Sequence, residues 1–545
     1  MNIMKRIIIT FLLAVSCIFL FSQNYMINWQ ACYGGSKDDH AIDMVEFNNL
    51  FYILGYTFSD DGDISLLHGE NDFWLVCTDS QGNMLWEKTY GGSEAESGHR
   101  ILSTGKGYFY LLGTAFSSDG DITNDPYKDS PDYWIVKIDS LGNIIWDKIV
   151  GGSRGERIWT GALTSDGGLV AIGETSSNDG DISVFYGGND SWLVKISNDG
   201  KLEWDFTLGT DFADISQAII QTSDGGYLVG GSSMLGEGGN ITCEPHSSMA
   251  DAILTKLDAD RNIEWQRCYG GSEHDGIVAL IEIEDGYVFG AYTSSNDGDV
   301  FGWHSGYNHL GNPTSDMWIV KTDFDGNIIW QNALGGSDSE SPYRIFEDSF
   351  YNIFIFGRTY SNDGDVSGNH SISEYYPDIW VVELDSDGML TNQQCFGGEG
   401  RDHIENGIVF IDRNHFVIAG QTYYGPSFDV GCTPHGGNGG DSDIWVFEVK
   451  DTTVSVPEQP PATTGITAYP NPAKDYVCFE RKGKASSGHL EISIFSASGI
   501  PVKELTLYPG ETIKVWDTRT IRAGVYFYRS LRQDGTAEYG KIVLE

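Results

Sequence analysis

Paired carboxylates recur along the chain in short acidic segments: FSDDGDI (58–64), SSDGDI (117–122), SSNDGDI (176–182), SSNDGDV (294–300) and SNDGDV (361–366). Each sets two aspartates around a glycine: Asp61 and Asp63, Asp119 and Asp121, Asp179 and Asp181, Asp297 and Asp299, Asp363 and Asp365. The chemistry open to such pairs is cation binding, calcium above all. Calcium asks for about six to eight oxygens, so each loop would also need carbonyls and another acid, such as the Asp that opens the next strand. The spacing lacks the acids an EF-hand places before and well after its glycine. GEGGNI (236–241) and GPSFDV (425–430) hold the same place without the acid pair. The expected role is therefore a structural turn, with the first Asp capping its own loop and the glycine at positive φ. Calcium is the alternative, and no other cofactor is implied.

Other residue types could meet a ligand. His40, His99, His274 and His403 follow a repeated Gly-Gly element, and Arg157 and Arg344 take comparable places. Asp-x-Trp recurs at Asp72, Asp132, Asp190, Asp316, Asp378 and Asp443, with Ile253 replacing the tryptophan after Asp251. Tryptophan faces stack on sugars, but equivalent tryptophans on equivalent strands are expected to be core. Cys243 and Cys432 share the pattern Cys-x-Pro-His, and only their repeats also carry a cysteine at the end of a fourth strand, Cys268 and Cys32. Disulfides Cys243–Cys268 and Cys32–Cys432 are predicted, in preference to a metal site, with Cys77 and Cys395 as buried thiols. Gly-x-Ser-x-Gly, His-Glu-x-x-His and phosphate-loop patterns are missing.

The elements that position these residues come from an internal repeat. Gly-Gly-Ser or a relative stands at 33–36, 90–93, 150–153, 208–211, 269–272, 334–337 and 396–399. Tryptophan precedes six of these: Trp29, Trp86, Trp146, Trp204, Trp265 and Trp330, with Asn392 in the seventh. The third copy reads as four antiparallel strands: RIWTGALTS (157–165), LVAIGETSS (169–177), SWLVKIS (191–197) and KLEWDFTLG (201–209). Asp-Gly-Gly and Asn-Asp-Gly supply its tight turns, and the acidic loop joins its second and third strands. Seven such sheets predict an all-β, seven-bladed β-propeller. INWQACYG (27–34) is a spare fourth strand at the start, and the last copy, ending at 443–451, lacks one. The N-terminal strand should therefore close the last blade, which removes an open sheet edge. The His and Arg set would then ring the channel mouth, on the same face as the long loops. DSLGNIIW (139–146) resembles blade turns of quinoprotein-like propellers in rhythm only, without their adjacent cysteine pair.

Composition bounds the function. A net charge of −45 excludes a nucleic-acid partner, since phosphates would be repelled. Lys5 and Arg6 followed by IIITFLLAVSCIFLFS read as a signal peptide over 1–22. The propeller is assigned to 23–451, a Pro/Thr-rich linker to 452–465 and a second domain, a small Ig-like β-sandwich, to 466–545.

That last domain carries a specific resemblance. TAYPNPAKDYVCFE (467–480), IFSASGIPV (494–502), Gly-x-Tyr-x-Tyr (524–528) and the terminal GKIVLE (540–545) occur in order. They resemble the type A C-terminal sorting domain of type IX secretion. The resemblance implies Sec export, recognition by the type IX machinery as partner, and a secreted or outer-surface destination.

Two functions follow as expectations. The first is an exported binding or adhesion module whose loop-rich face meets a glycan, peptide or surface, with no catalysis. The alternative is a secreted hydrolase or lyase acting on polysaccharide or peptide at the channel mouth. Similarity among the copies favours the first, because catalysis needs one singular constellation.

Overall fold

The computed structural model describes residues 25–451 and 466–544, apart from 129, 235, 248, 305, 308–310, 374, 436–440, 470–472, 475, 482–488, 497–500, 520, 522–523 and 533–536. The signal segment 1–22, including Cys17, and the linker 452–465 lie outside the described residues. Two compact units divide the chain, Met1–Thr453 and Val454–Glu545.

No helix occurs among the described residues. The first unit is built from antiparallel sheets, six of four strands and one of five. In the third repeat the strands are Glu156–Leu163, Leu169–Thr175, Asp190–Ile196 and Leu202–Leu208, each paired with the next. The turn glycines do what the sequence asks of them: Gly167 and Gly200 take φ of 87° and 84°, where a Cβ is strained. First strands of successive sheets lie beside one another, as Asp39–Phe47 lies beside Glu96–Ser103. Fourth strands lie outermost. The result is a β-propeller-like arrangement in which first strands of neighbouring sheets contact one another.

Tyr25–Tyr33 pairs antiparallel with Asp443–Asp451, Cys32 facing Trp445. The N-terminal strand thus completes the last sheet, whose other members are His415–Thr422, Ile408–Asp412 and Asp402–His403. This sheet also packs against Asp39–Phe47, so the succession of sheets returns to its start.

The Asp-x-Trp tryptophans Trp74, Trp134, Trp192, Trp318, Trp380 and Trp445 are fully buried. Their indole N–H groups donate to a polar residue on the fourth strand of the same sheet, Glu87, Asp147, Asp205, Gln331, Gln393 and Gln30 in turn. They are core, as expected, and offer no sugar platform. The second set of tryptophans works between sheets. A Cβ at Gly82 would lie 2.4 Å from the Trp29 ring, so that glycine admits the indole of the sheet before it.

Disulfides join Cys32 to Cys432 and Cys243 to Cys268, with Cα separations of 5.7 and 5.6 Å. Cys77 and Cys395 are buried free thiols.

The second unit holds a three-stranded sheet, Ile466–Tyr469, Tyr476–Arg481 and Ile513–Asp517, and a four-stranded one. The latter runs Pro501–Leu507, Leu490–Ser496, Gly524–Arg532, Ala537–Leu544. Val477, Phe479, Ile492, Ile494, Trp516 and Ile542 form its core.

Candidate functional site

The acidic loops are clasps. Asp61 Oδ1 accepts from the Ser36 amide at 2.7 Å, and Asp63 Oδ2 from the Gly34 amide at 3.1 Å. Asp119 and Asp121 hold Ser93 and Gly91 the same way, and Asp179 and Asp181 hold Ser153 and Gly151. Asp297 and Asp299 hold Ser272 and Gly270, and Asp363 and Asp365 hold Ser337 and Gly335. The first Asp therefore does not cap its own turn. It reaches about 25 residues back to the end of the preceding fourth strand and satisfies amides that no ladder serves. The two divergent loops keep one half of the device: Asn240 Oδ1 accepts from Gly209 N at 3.0 Å, and Asp429 Oδ2 from Gly397 N at 3.5 Å. No group of three His, Cys, Asp or Glu with metal-holding geometry occurs among the described residues.

A second acid ring lies beneath. The acid opening each first strand (Asp39, Glu96, Glu156, Asp214, Asp275, Glu340, Asp402) is buried and accepts the amide of the second residue of the Gly-Gly element at 2.6–3.0 Å. The Asp opening each third strand is equally buried, and its Oδ1 has no partner. Burial first, and then the neighbouring Glu156 carboxyl, pushes the Asp132 carboxyl well up. Burial also lifts Asp39 and Asp402 to about 7 and Glu340 to about 8.

Histidines link the two acid sets. His246 reaches Asp251 with Nδ1 and Asp299 with Nε2, both at 3.2 Å. His304 spans Asp316 and Asp365 at 2.9 and 3.6 Å, and His435 spans Asp443 and Asp63 at 2.8 and 3.8 Å. The Cys-x-Pro-His histidines are thus carboxylate bridges between sheets.

The six residues read as a channel rim do not occupy equivalent positions. His40, Arg157 and His403 are the second residues of their first strands, facing Tyr56, Glu174 and Gln421. His99 and Arg344 sit two and three positions deeper, and His274 precedes its strand and is exposed. His99 and Arg344 keep intermediate solvent access.

The structure gathers partners that the sequence reading missed. Arg358 lies over the rings of Tyr343 and Tyr360 at 5.6 and 5.7 Å, and Arg401 over Tyr423 at 5.5 Å. His40 stacks on Tyr56, ring centres 4.6 Å apart, and Arg157 covers Trp159 at 5.5 Å. Deeper in, Arg100 pairs with Asp43 at 3.1 Å beside Arg344. Burial holds the imidazole of His99 down at about 4 and that of His403 well below its usual value, with Arg157 and Arg401 adding to the effect. His40 is lowered too, again chiefly by burial. Positive charge at the axis therefore resides on arginine. Aligning the seven copies on the opening acid of the first strand would have exposed these positions. Arg358 and Tyr56 are partners of the second residue, and Arg401 precedes the acid.

Away from this face, clefts of 610 and 440 Å³ open near the tight turns, beside Tyr108 and Lys137 and beside Lys256 and Tyr287. Neither contains a residue of the axial set.

Comparison with known proteins decides the second unit. Residues 467–545 match the family of the secretion system C-terminal sorting domain. The chain carries a type IX export address. The sorting domain marks the protein for export by type IX secretion, to the surface or the medium. Elsewhere, a 214-residue stretch is 24% identical to the regulatory protein FlaEY of Caulobacter vibrioides, covering 37% of this chain and 22% of that protein. Similar solved structures include the WD40 domain of Neurospora crassa Pan2 (10% identity, 78% of this chain, 96% of that chain, TM-score 0.39). BBS1N in complex with ARL6DN (6%, 79% and 98%, TM-score 0.39) is another. Phage phi92 endosialidase is a third (10%, 96% and 79%, TM-score 0.37). These likenesses say nothing of function.

Proposed function

We propose that the chain is an exported binding or adhesion module: a seven-bladed β-propeller closed by its N-terminal strand, delivered by an Ig-like sorting domain. One observation carries this reading. The clasp residues repeat from sheet to sheet, whereas the second residue of the first strand differs almost everywhere: His40, Ser97, Arg157, Ile215, Gly276, Ser341 and His403. A constant frame around one varied, polar, aromatic surface suits the reading of an asymmetric ligand. The acidic loops serve the frame, and calcium has no role in this reading.

The test applies the purified full chain to immobilised glycans and peptides, beside the variants His40→Ala, Arg157→Ala and His403→Ala. Retention of a ligand by the native chain, lost in these variants, is the expected result. Turnover of a polysaccharide or peptide would assign the hydrolase instead, and retention indifferent to all three changes would move the site off the axis.

A further inference from the structure

Five of the nine arginines in residues 25–451 stand at the axis: Arg100, Arg157, Arg344, Arg358 and Arg401. Away from these five Arg413 pairs with Asp348 and Glu383, and among them Arg100 pairs with Asp43. The other four have no carboxylate oxygen within 4.0 Å among the described residues. The Nε atoms of Arg358 and Arg401 are buried without a partner, as is Nδ1 of His403, a side chain only 6% exposed. Glu405 interacts electrostatically with Arg358, and burial raises its carboxyl to about 7, so it neutralises the cluster only in part.

Guanidinium groups partly withdrawn from water, with no carboxylate close by, are well suited to receive a bound anion. Aromatic rings hold these forks in place: Tyr343 and Tyr360 around Arg358, Tyr423 under Arg401, with the Tyr56–His40 stack alongside. Flat rings beside an oxyanion receptor suit a sugar ring that carries the charge. Building on the binding role proposed above, we infer that the axial mouth takes an acidic saccharide, its carboxylate or sulfate held by Arg358 and Arg401. The net charge of −45 works against the approach of any anion, so the affinity must come from the arginine forks at short range.

The experiment uses the full chain on an array that pairs each uronate- or sulfate-bearing oligosaccharide with its carboxyl-reduced or desulfated form. Acidic members should be retained about tenfold or more over their neutral partners. Arg358→Gln and Arg401→Gln should each abolish that preference, while Arg267→Gln, at a fourth strand away from the axis, should leave it intact. Arg401→Lys, which keeps charge but loses the fork, should retain part of it. Melting curves of all variants confirm that they fold. Equal retention of neutral members, lost on His403→Ala, would refute the acidic class while leaving the mouth a binding site. Calorimetric binding of free sulfate with no saccharide retained would refute it as well. No retention at all would overturn this inference and the proposed function together.

Discussion

Breaking the two disulfides should have unequal consequences, and the inequality can be worked out in advance. Cys32–Cys432 closes a loop of 400 residues and Cys243–Cys268 one of 25. If a cross-link acts by restricting the unfolded chain, the long loop is worth about 6 kcal/mol and the short one about 3.5 kcal/mol at 25 °C. The difference of about 2.5 kcal/mol follows from the logarithm of loop length alone. Both cysteines of a pair are changed to serine, so that no stray thiol remains. With a urea slope near the upper end for globular domains, about 3 kcal/mol/M, the midpoints should fall by roughly 2 M and 1 M. Urea titration of the full chain and both double variants, followed by tryptophan fluorescence, measures this. Equal shifts, or a larger shift for the 243/268 variant, would refute the chain-entropy account of ring closure.

Other expectations concern charge, core and export. Asp39, Asp402 and Glu340 keep protons in the folded state up to about 7, 7 and 8, well above unfolded carboxylates at about 4. The folded state therefore holds more protons than the unfolded one across that window, so stability falls as pH rises. His304 and His370, raised first by their hydrogen bonds to Asp316 and Asp378, act with the same sign from about pH 6.5 upward. Below about pH 6.5 the lowered His40, His99 and His403 act with the opposite sign. Calorimetric melting temperature should therefore decline from about pH 6.5 to pH 8, and a rise there would contradict the raised carboxyls. Trp134→Ala removes a fully buried ring and should cost about 3–5 kcal/mol in urea unfolding. Calcium titration by calorimetry should show no set of tight sites, since the Asp61 and Asp63 type oxygens already hold amides, whereas Asp179→Asn should lower the melting temperature. Deleting 466–545 should leave a folded first unit that accumulates in the periplasm, assayed by fractionation and protease resistance.

The frame was legible because β structure writes its pattern locally. Alternation, Asp-Gly-Gly turns and a spare strand at Ile27–Gly34 point to the sheets, their order and the pairing with Asp443–Asp451 without any long-range information. The cysteine pairs followed from the same register. Side-chain partners across sheets were not legible. Tyr56 meets Tyr343, Arg358 and Arg401 from nearly 300 residues away, and the pattern within a single repeat does not join them. Asp61 looked like a turn cap because Asp-Gly is a turn signal, yet its acceptor oxygen serves Ser36. Asp429 and Asn240 looked like losses of the acid pair, but each retains the member that holds the glycine.

Asp443–Asp451 leads into the sorting segment and is an inner strand, hydrogen-bonded to Tyr25–Tyr33 on one flank and His415–Thr422 on the other. Tension applied through the C-terminal segment would run along this strand. Such a load shears both rows of hydrogen bonds at once and does not peel them one by one. The Cys32–Cys432 bond ties one flanking strand to the loop just before the loaded one, so slippage would leave that flank attached. Held at its sorting end and pulled at its loop face, the protein would meet force at its most strongly seamed sheet.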